Sequence, residues 1–338
     1  MWWSSPALAR VLEDSYRFRL SEQWWSQGAR VDRVRQAHGV TSLITRPDAG
    51  LQEHLTARLE LALESHLARA QMWYPHDYVP WSEARDFAEL PFAETQSRLS
   101  PAVRASVQLN LLTEDNLPGY HGEIARVTGN TDVWKTWLDR WTAEEGRHAI
   151  ALRDYLTATR AVDPTVLEDE RMITVSNGFS AGDRDGLHVI AYVAMQELAT
   201  RVAHRNTGKL SGDQGLNKLL TRIAMDENLH MVLYRELFLA ALELDPARAL
   251  GALKTEIVGF AMPGTGIPGF VRRAAVVARA GIYDLGIHRE QVLAPLLGFW
   301  QVFERELPPE AELERDQIAL VLAEIDRRVD KQRSRRPV

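Results

Sequence analysis

Two stretches of this 338-residue chain carry the pattern Glu-x-x-His: Glu145 with His148, and Glu227 with His230. Ten histidines in a glutamate-rich chain give about one such pair by chance, so the bare pattern carries little. Its setting carries more. Trp134, Leu138, Trp141, Glu145, His148, Leu152 and Tyr155 follow at steps of 4, 3, 4, 3, 4 and 3. Leu216, Leu220, Ile223, Glu227, His230, Tyr234 and Leu237 repeat those steps. Such steps mark one face of an α-helix, so each carboxylate and imidazole falls on an apolar seam. A buried carboxylate needs a compensating charge, and a metal ion supplies it. A lone glutamate precedes each pair on a seam of its own: Glu114 after Val107 and Leu111, Glu197 after Ile190 and Val193. The separations are 31 and 30 residues. The order Glu, Glu-x-x-His, Glu, Glu-x-x-His is that of carboxylate-bridged two-metal sites inside four-helix bundles. Four carboxylates and two imidazoles suit iron or manganese better than a closed structural zinc site. The competing reading, core Glu/His hydrogen bonds with Glu114 and Glu197 in water, leaves the four matched seam positions unexplained.

Three neighbours bear on the same chemistry. Pro118 lies four residues after Glu114, where its ring clashes with the Glu114 carbonyl and kinks the helix. Thr200 lies one turn after Glu197 and can bond either metal-bound oxygen or its own helix, the latter being its expected resting partner. Asp226 precedes a ligand glutamate and is placed to hold a ligand histidine from outside.

The elements that must position these groups are helices. From Leu51 onward the periodicity is helical almost throughout, beginning with Leu55, Leu59, Leu63 and Leu67. Further helices are expected at about 101–128, 132–160, 164–176, 185–206, 213–244, 247–261, 268–281, 288–304 and 310–332, while strand-like alternation is scarce. Gly264-Thr265-Gly266-Ile267-Pro268-Gly269 spells a dinucleotide-loop pattern, but no strand precedes it, so it reads as a loop between helices. The expected fold is all-α: a four-helix bundle core with flanking helices. The chain divides into an extension over 1–50, a bundle domain over 51–310, and a C-terminal helix with a basic, solvated and frayed tail over 311–338. Residues 1–50 hold two tryptophan pairs without sustained apolar period, and are expected to be dispensable, in part as the product of an upstream start codon.

Composition bounds the rest. The chain is 45% hydrophobic and 25% charged, which is ordinary globular usage. With no cysteine, it has no disulfide framework, zinc-thiolate site, Cys-ligated iron–sulfur cluster or cysteine nucleophile. A net charge of −6 argues against nucleic acid as the main partner. No apolar run reaches membrane-spanning length, and the N-terminus lacks a secretory pattern, so a cytoplasmic protein is expected.

Several segments resemble the plant-type acyl-[acyl-carrier-protein] desaturase family, with wording similar to the soluble desaturases of mycobacteria. They are Thr113-Glu114-Asp115-Asn116-Leu117-Pro118, Trp141-Thr142-Ala143-Glu144-Glu145-Gly146-Arg147-His148, Gln196-Glu197-Leu198-Ala199-Thr200, His204-Arg205-Asn206-Thr207-Gly208, Asp226-Glu227-Asn228-Leu229-His230, and Trp73-Tyr74-Pro75-His76-Asp77-Tyr78-Val79-Pro80. The resemblance runs from about residue 51 to 305. It implies a homodimeric ferritin-like bundle with two non-haem iron ions. It also implies insertion of a cis double bond into a saturated acyl chain on acyl carrier protein, using O2 and two electrons from a ferredoxin-type donor. By position it implies Glu114, Glu145, His148, Glu197, Glu227 and His230 as metal ligands, Thr200 near the oxygen site, and Trp73, Asp226 and His148 as an electron route. Gly146 replaces the family's asparagine, and Glu123 and Arg126 fall where plant members are less polar near the chain-end pocket. The alternatives are a di-iron acyl hydroxylase or monooxygenase, and a non-catalytic ferritin-like metal-binding protein. Docking of an acidic carrier protein on a net-negative chain calls for a local basic patch; Arg272/Arg273 and Arg201/Arg205 are the candidates.

Overall fold

The computed structural model describes residues 49–129, 132–264 and 266–334, and the expectations for residues 1–48 fall outside it. Among the described residues there is no strand. The helices are α1 Ala49–Arg69, α2 Pro101–Glu114, α3 Leu117–Thr128, α4 Asp132–Ala158, α5 Pro164–Asn177, α6 Gly186–Ser211, α7 Gln214–Leu244, α8 Pro246–Gly259 and α9 Phe270–Arg279. After them come α10 Leu285–His288, a π turn Arg289–Leu293, α11 Ala294–Phe299 and α12 Pro309–Ser334. Helix starts are set by short polar side chains that satisfy otherwise unpaired amides. Ser100 caps α2, Asp163 α5, Asp185 α6, Asp213 α7 and Asp245 α8. Gly212, with φ of +67°, closes the tight α6–α7 hairpin.

The bundle core is α2, α4, α6 and α7, with α6 and α7 packed along each other and α1 laid against α7 and α4. Every seam residue of α4 and α7 predicted to be inward is buried. Two apolar cores flank the layer that carries the glutamates. One holds Val103, Val107, Leu111, Leu152, Leu216, Leu220 and Ile223. The other holds Leu112, Ile124, Val189, Val193, Leu198, Tyr234 and Leu237.

Three expectations are revised. The span 101–128 is not one kinked helix. It breaks after Glu114, and Pro118 sits in the first turn of α3, where its missing amide costs nothing. Leu67 points outward at 48% exposure, while Leu55, Leu59 and Leu63 are buried. A strict four-residue repeat advances about 40° per step around a 3.6-residue helix, so its fourth member leaves the face. His66, seven residues after Leu59, takes the inward place and is buried. Up to Ser334 the C-terminal segment is helical and not frayed. Helix α12 runs to Ser334, buries Ile318, Leu322, Ile325 and Val329, and packs against α8. The Gly264–Gly269 loop joins α8 to α9, and a Cβ at Gly264 would lie 2.2 Å from the Phe270 ring, so only glycine lets that ring pack.

Candidate metal centre

The seams of α2, α4, α6 and α7 converge on one layer. Glu114, Glu145, His148 and Glu227 form one group whose ligand atoms all lie within 4.8 Å of one another, and Glu145, Glu197, Glu227 and His230 form a second. Glu145 and Glu227 belong to both groups. All six predicted ligand side chains are buried.

Both histidines turn Nδ1 into this layer. His148 Nδ1 lies 3.1 Å from Glu145, 3.6 Å from Glu227 and 3.8 Å from Glu114. His230 Nδ1 lies 2.7 Å from Glu145, 3.6 Å from Glu197 and 3.9 Å from Glu227. Yet His230 Nδ1, Glu145 Oε1, Glu197 Oε2 and Glu227 Oε1 have no hydrogen-bond partner. His230 Nδ1 and Glu145 Oε1 approach to 2.7 Å without forming a hydrogen bond, a spacing that two ligand atoms of one ion can take. Unpartnered buried polar atoms are expensive, and so many converging on one point fit a cation.

Electrostatics say the same. Burial, followed by the charges of Glu114 and Glu197, pushes the Glu145 carboxyl up; burial, then Glu145 and Glu197, does so for Glu227. Burial also acts on Glu114, but the nearby imidazoles of His148 and His204 outweigh it and hold that carboxyl low. Burial alone would lower His148 and His230, but the carboxylates around them raise both well above the ordinary imidazole range. Like-charged acids held together in a dry layer draw in positive charge, which a bound metal ion would supply.

The supporting residues are also in reach. Trp73 Nε1 donates to Asp226 Oδ2 at 2.7 Å, His148 Nε2 lies 3.4 Å from the same oxygen, and Trp73 stacks parallel to His148. Thr200 donates to the Gln196 carbonyl at 3.0 Å and accepts from the Gln196 amide, so its hydroxyl is bound to its own helix. Three residues were missed by the sequence reading. His204 is fully buried, with Nε2 at 3.7 Å from both Glu114 and Glu227. It continues the α6 seam through Glu197 and Thr200 at steps of 3 and 4, a signal that was present. Glu144 accepts from His230 Nε2 and His66 Nε2, each at 3.0 Å.

A cavity open to solvent adjoins the layer, with about 720 Å³ of empty space reaching out through its mouth. Glu114, Glu145 and Glu197 form its inner wall, and Leu117, Tyr120, Ile124, Trp141, Phe179, Val189, Tyr192 and Val193 line it. Glu123 and Arg184 stand at its margin, each already paired, with Arg126 and Glu256 respectively. The break between α2 and α3 supplies this space, since Leu117, Tyr120 and Ile124 come from the redirected α3. The cavity wall is mostly apolar, with Thr113 and Gln196 beside the carboxylates and Glu123 and Arg184 at the margin.

The fatty acid desaturase family model matches residues 48–337. The chain belongs to the fatty acid desaturase family. The match continues through α12, beyond the 305 reached by the motif resemblance. The chain is 43% identical over 296 residues to the Mycobacterium tuberculosis protein named acyl-[acyl-carrier-protein] desaturase DesA1, covering 84% of this chain and 88% of that one. It is 34% identical over 236 residues to DesA2 of the same organism, covering 68% and 86%. The X-ray structure of DesA2 superposes with a TM-score of 0.64 at 27% identity, covering 78% of this chain and 99% of that one. Family and buried Glu/His clusters together point to a metal centre. Among the described residues no helix is long and apolar enough to cross a membrane.

Proposed function

We propose that this chain is an O2-dependent acyl-[acyl-carrier-protein] desaturase. It inserts a cis double bond into a saturated acyl chain at a centre of two iron ions held by Glu114, Glu145, His148, Glu197, Glu227 and His230. The observation that carries the proposal is the contact between two chemistries: a buried layer of four carboxylates and two imidazoles forms the inner wall of an apolar cavity. Oxygen-rich donors with two imidazoles suit iron. When bound, the iron pair draws from O2 the oxidising power needed to take hydrogen from an unactivated methylene.

The chain's own residues do the rest. Leu117, Ile124, Val189 and Val193 offer an alkyl chain a dry seat against the carboxylate wall. The same walls exclude water, so that oxidation falls on the substrate and not on solvent. Trp141 Nε1 donates to Glu197 Oε1 at 3.1 Å and fixes that carboxylate. Thr200 orients the Gln196 amide at the cavity wall. Trp73 and Asp226 connect His148 to the surface beside exposed Met72, which is the route assigned here to two electrons from a ferredoxin-type donor. With these electrons and two protons, the two hydrogens taken from the chain leave as water along with both atoms of O2. A cytoplasmic homodimer that meets acyl carrier protein as its substrate belongs to the same proposal, supported by the family and by the names of its relatives. The test is incubation of the purified, iron-loaded protein with acyl carrier proteins bearing saturated chains, reductant, ferredoxin and O2. Monounsaturated product is expected, and hydroxylated or unchanged chains would overturn the reading.

A further inference from the structure

Around the metal layer the remaining buried charge gathers at two places, and each is the far nitrogen of one of the two histidines. His148 Nε2 faces Asp226, and His230 Nε2 faces Glu144. The supports are crossed. Asp226 precedes Glu227 on α7 but serves the histidine of α4; Glu144 precedes Glu145 on α4 but serves the histidine of α7. Each outer carboxylate then has a buried aromatic donor, Trp73 for Asp226 at 2.7 Å and His66 for Glu144 at 3.0 Å. Each also has a guanidinium of its own helix, Arg222 for Asp226 and Arg140 for Glu144, and Arg147 stands between the two carboxylates.

We propose that His66, acting through Glu144, is a positioning residue for His230, the counterpart of Trp73 acting through Asp226 on His148; this rests on the two-metal reading above. The chemistry of the contact sets the tautomer. An ionised carboxylate only accepts, and Arg140 holds Glu144 ionised through Oε1, so Oε2 receives a proton-bearing Nε2 from both rings. In the neutral ring that leaves the lone pair on His230 Nδ1, which faces Glu145, Glu197 and Glu227, and this is what a ligand must present. His66 also fixes the ring plane. It stacks on His230 at 5.8 Å between centroids and 20° between planes, and meets Trp137 edge-on at 5.0 Å. His66, Glu144 and His230 stand close enough together to hold an ion of their own. The guanidiniums of Arg140 and Arg147 already supply Glu144 with positive charge, so hydrogen bonding, not a third cation, accounts for the group.

The experiment is an anaerobic titration of the metal-free protein with ferrous ion, read as ions bound per chain and as the Mössbauer spectrum. Wild type, His66→Leu and His66→Gln are compared, because a glutamine amide can stand in for the Nε2 donor. Wild type binds two ions. His66→Leu keeps one with wild-type affinity and holds the other about 10- to 100-fold more weakly, with one of two iron environments altered. His66→Gln restores the second ion. Two ions bound by His66→Leu with wild-type affinity and spectrum would overturn the inference while leaving the two-metal reading intact. Equal loss of both ions in both variants would also overturn it, since that is what general loosening of the fold produces. A wild type that binds no iron removes the two-metal reading and this inference together. If His66→Leu is insoluble, Glu144→Gln takes its place, and failure to weaken one ion selectively counts against the proposal.

Discussion

The two sides of the carboxylate layer share helices α2 and α4 and do opposite things. On one side Val107, Leu111 and Leu152 close completely on Leu220 and Ile223 of α7. On the other side α2 and α4 join α3 and α6 around an open cavity. The difference arises within a few residues. Helix α2 stops at Glu114, and α3 restarts at Leu117 with Pro118 in its first turn. The Asn116 amide donates to the Gly178 carbonyl at 2.9 Å and ties the break to the loop after α5. One end therefore spends its apolar side chains on stability and the other keeps them as a surface for a guest. Glu114, on the last turn before the break, stands between the two environments.

The largest expected effect comes from the layer that divides the two ends. Glu145→Ala or Glu227→Ala removes a carboxylate shared by both ligand groups, so each should lose both ions and all measurable turnover. Iron analysis and product formation check this. Either variant with two ions and full activity would break the assignment.

The next two sharpen the contrast between the ends. Val193→Phe adds bulk to the cavity wall without touching a ligand. Turnover should fall by at least about tenfold with iron content and melting temperature near wild type, because the seat for the substrate is filled. Leu220→Ala, at the closed end, should cost about 2–5 kcal/mol of stability by leaving a cavity, with turnover per folded molecule little changed. Denaturant melts and specific activity decide both. A Val193→Phe protein with normal turnover, or a Leu220→Ala protein of normal stability, would erase the distinction.

Much of this was legible before the structure because two periodicities agree. The steps of 3 and 4 placed Glu145, His148, Glu227 and His230 inward on long uninterrupted helices, and nothing in α4 or α7 bends to spoil the count. Legibility failed where the count drifts or the chain breaks. Leu67 carried the repeat of α1 past its face and hid His66 behind it. Glu144 lies one step off the α4 seam, so only its partners on α7 and α1 reveal it. Pro118 signalled disturbance, but a kink and a break read alike until Asn116 and Gly178 are seen together.

The smallest effect concerns how an acidic carrier protein would approach the open end. Of the two basic pairs in the sequence, Arg201 and Arg205 flank His204 on α6, neither lines the cavity, and Arg205 donates to Thr221 at 2.7 Å. Arg273 is also committed. It holds Glu170 with two contacts of 2.6 and 2.8 Å and the Pro268 carbonyl at 2.8 Å, joining α9 to α5. Arg272 is exposed on the first turn of α9, just after the loop whose Pro263 lines the cavity. Arg272→Glu should raise KM for acyl-carrier-protein substrate by about two- to fivefold at low salt and leave kcat unchanged, because a rim charge remote from the reacting bond acts on encounter and not on the chemical step. Added salt should bring the wild type toward the variant, since exposed charges are screened within about 10 Å at 0.1 M. Arg273→Glu, in contrast, should lower the melting temperature by breaking the α5–α9 link. Steady-state kinetics across a salt series separate the two. Unchanged KM in Arg272→Glu at low salt would mean that carrier approach does not use this side of the open end.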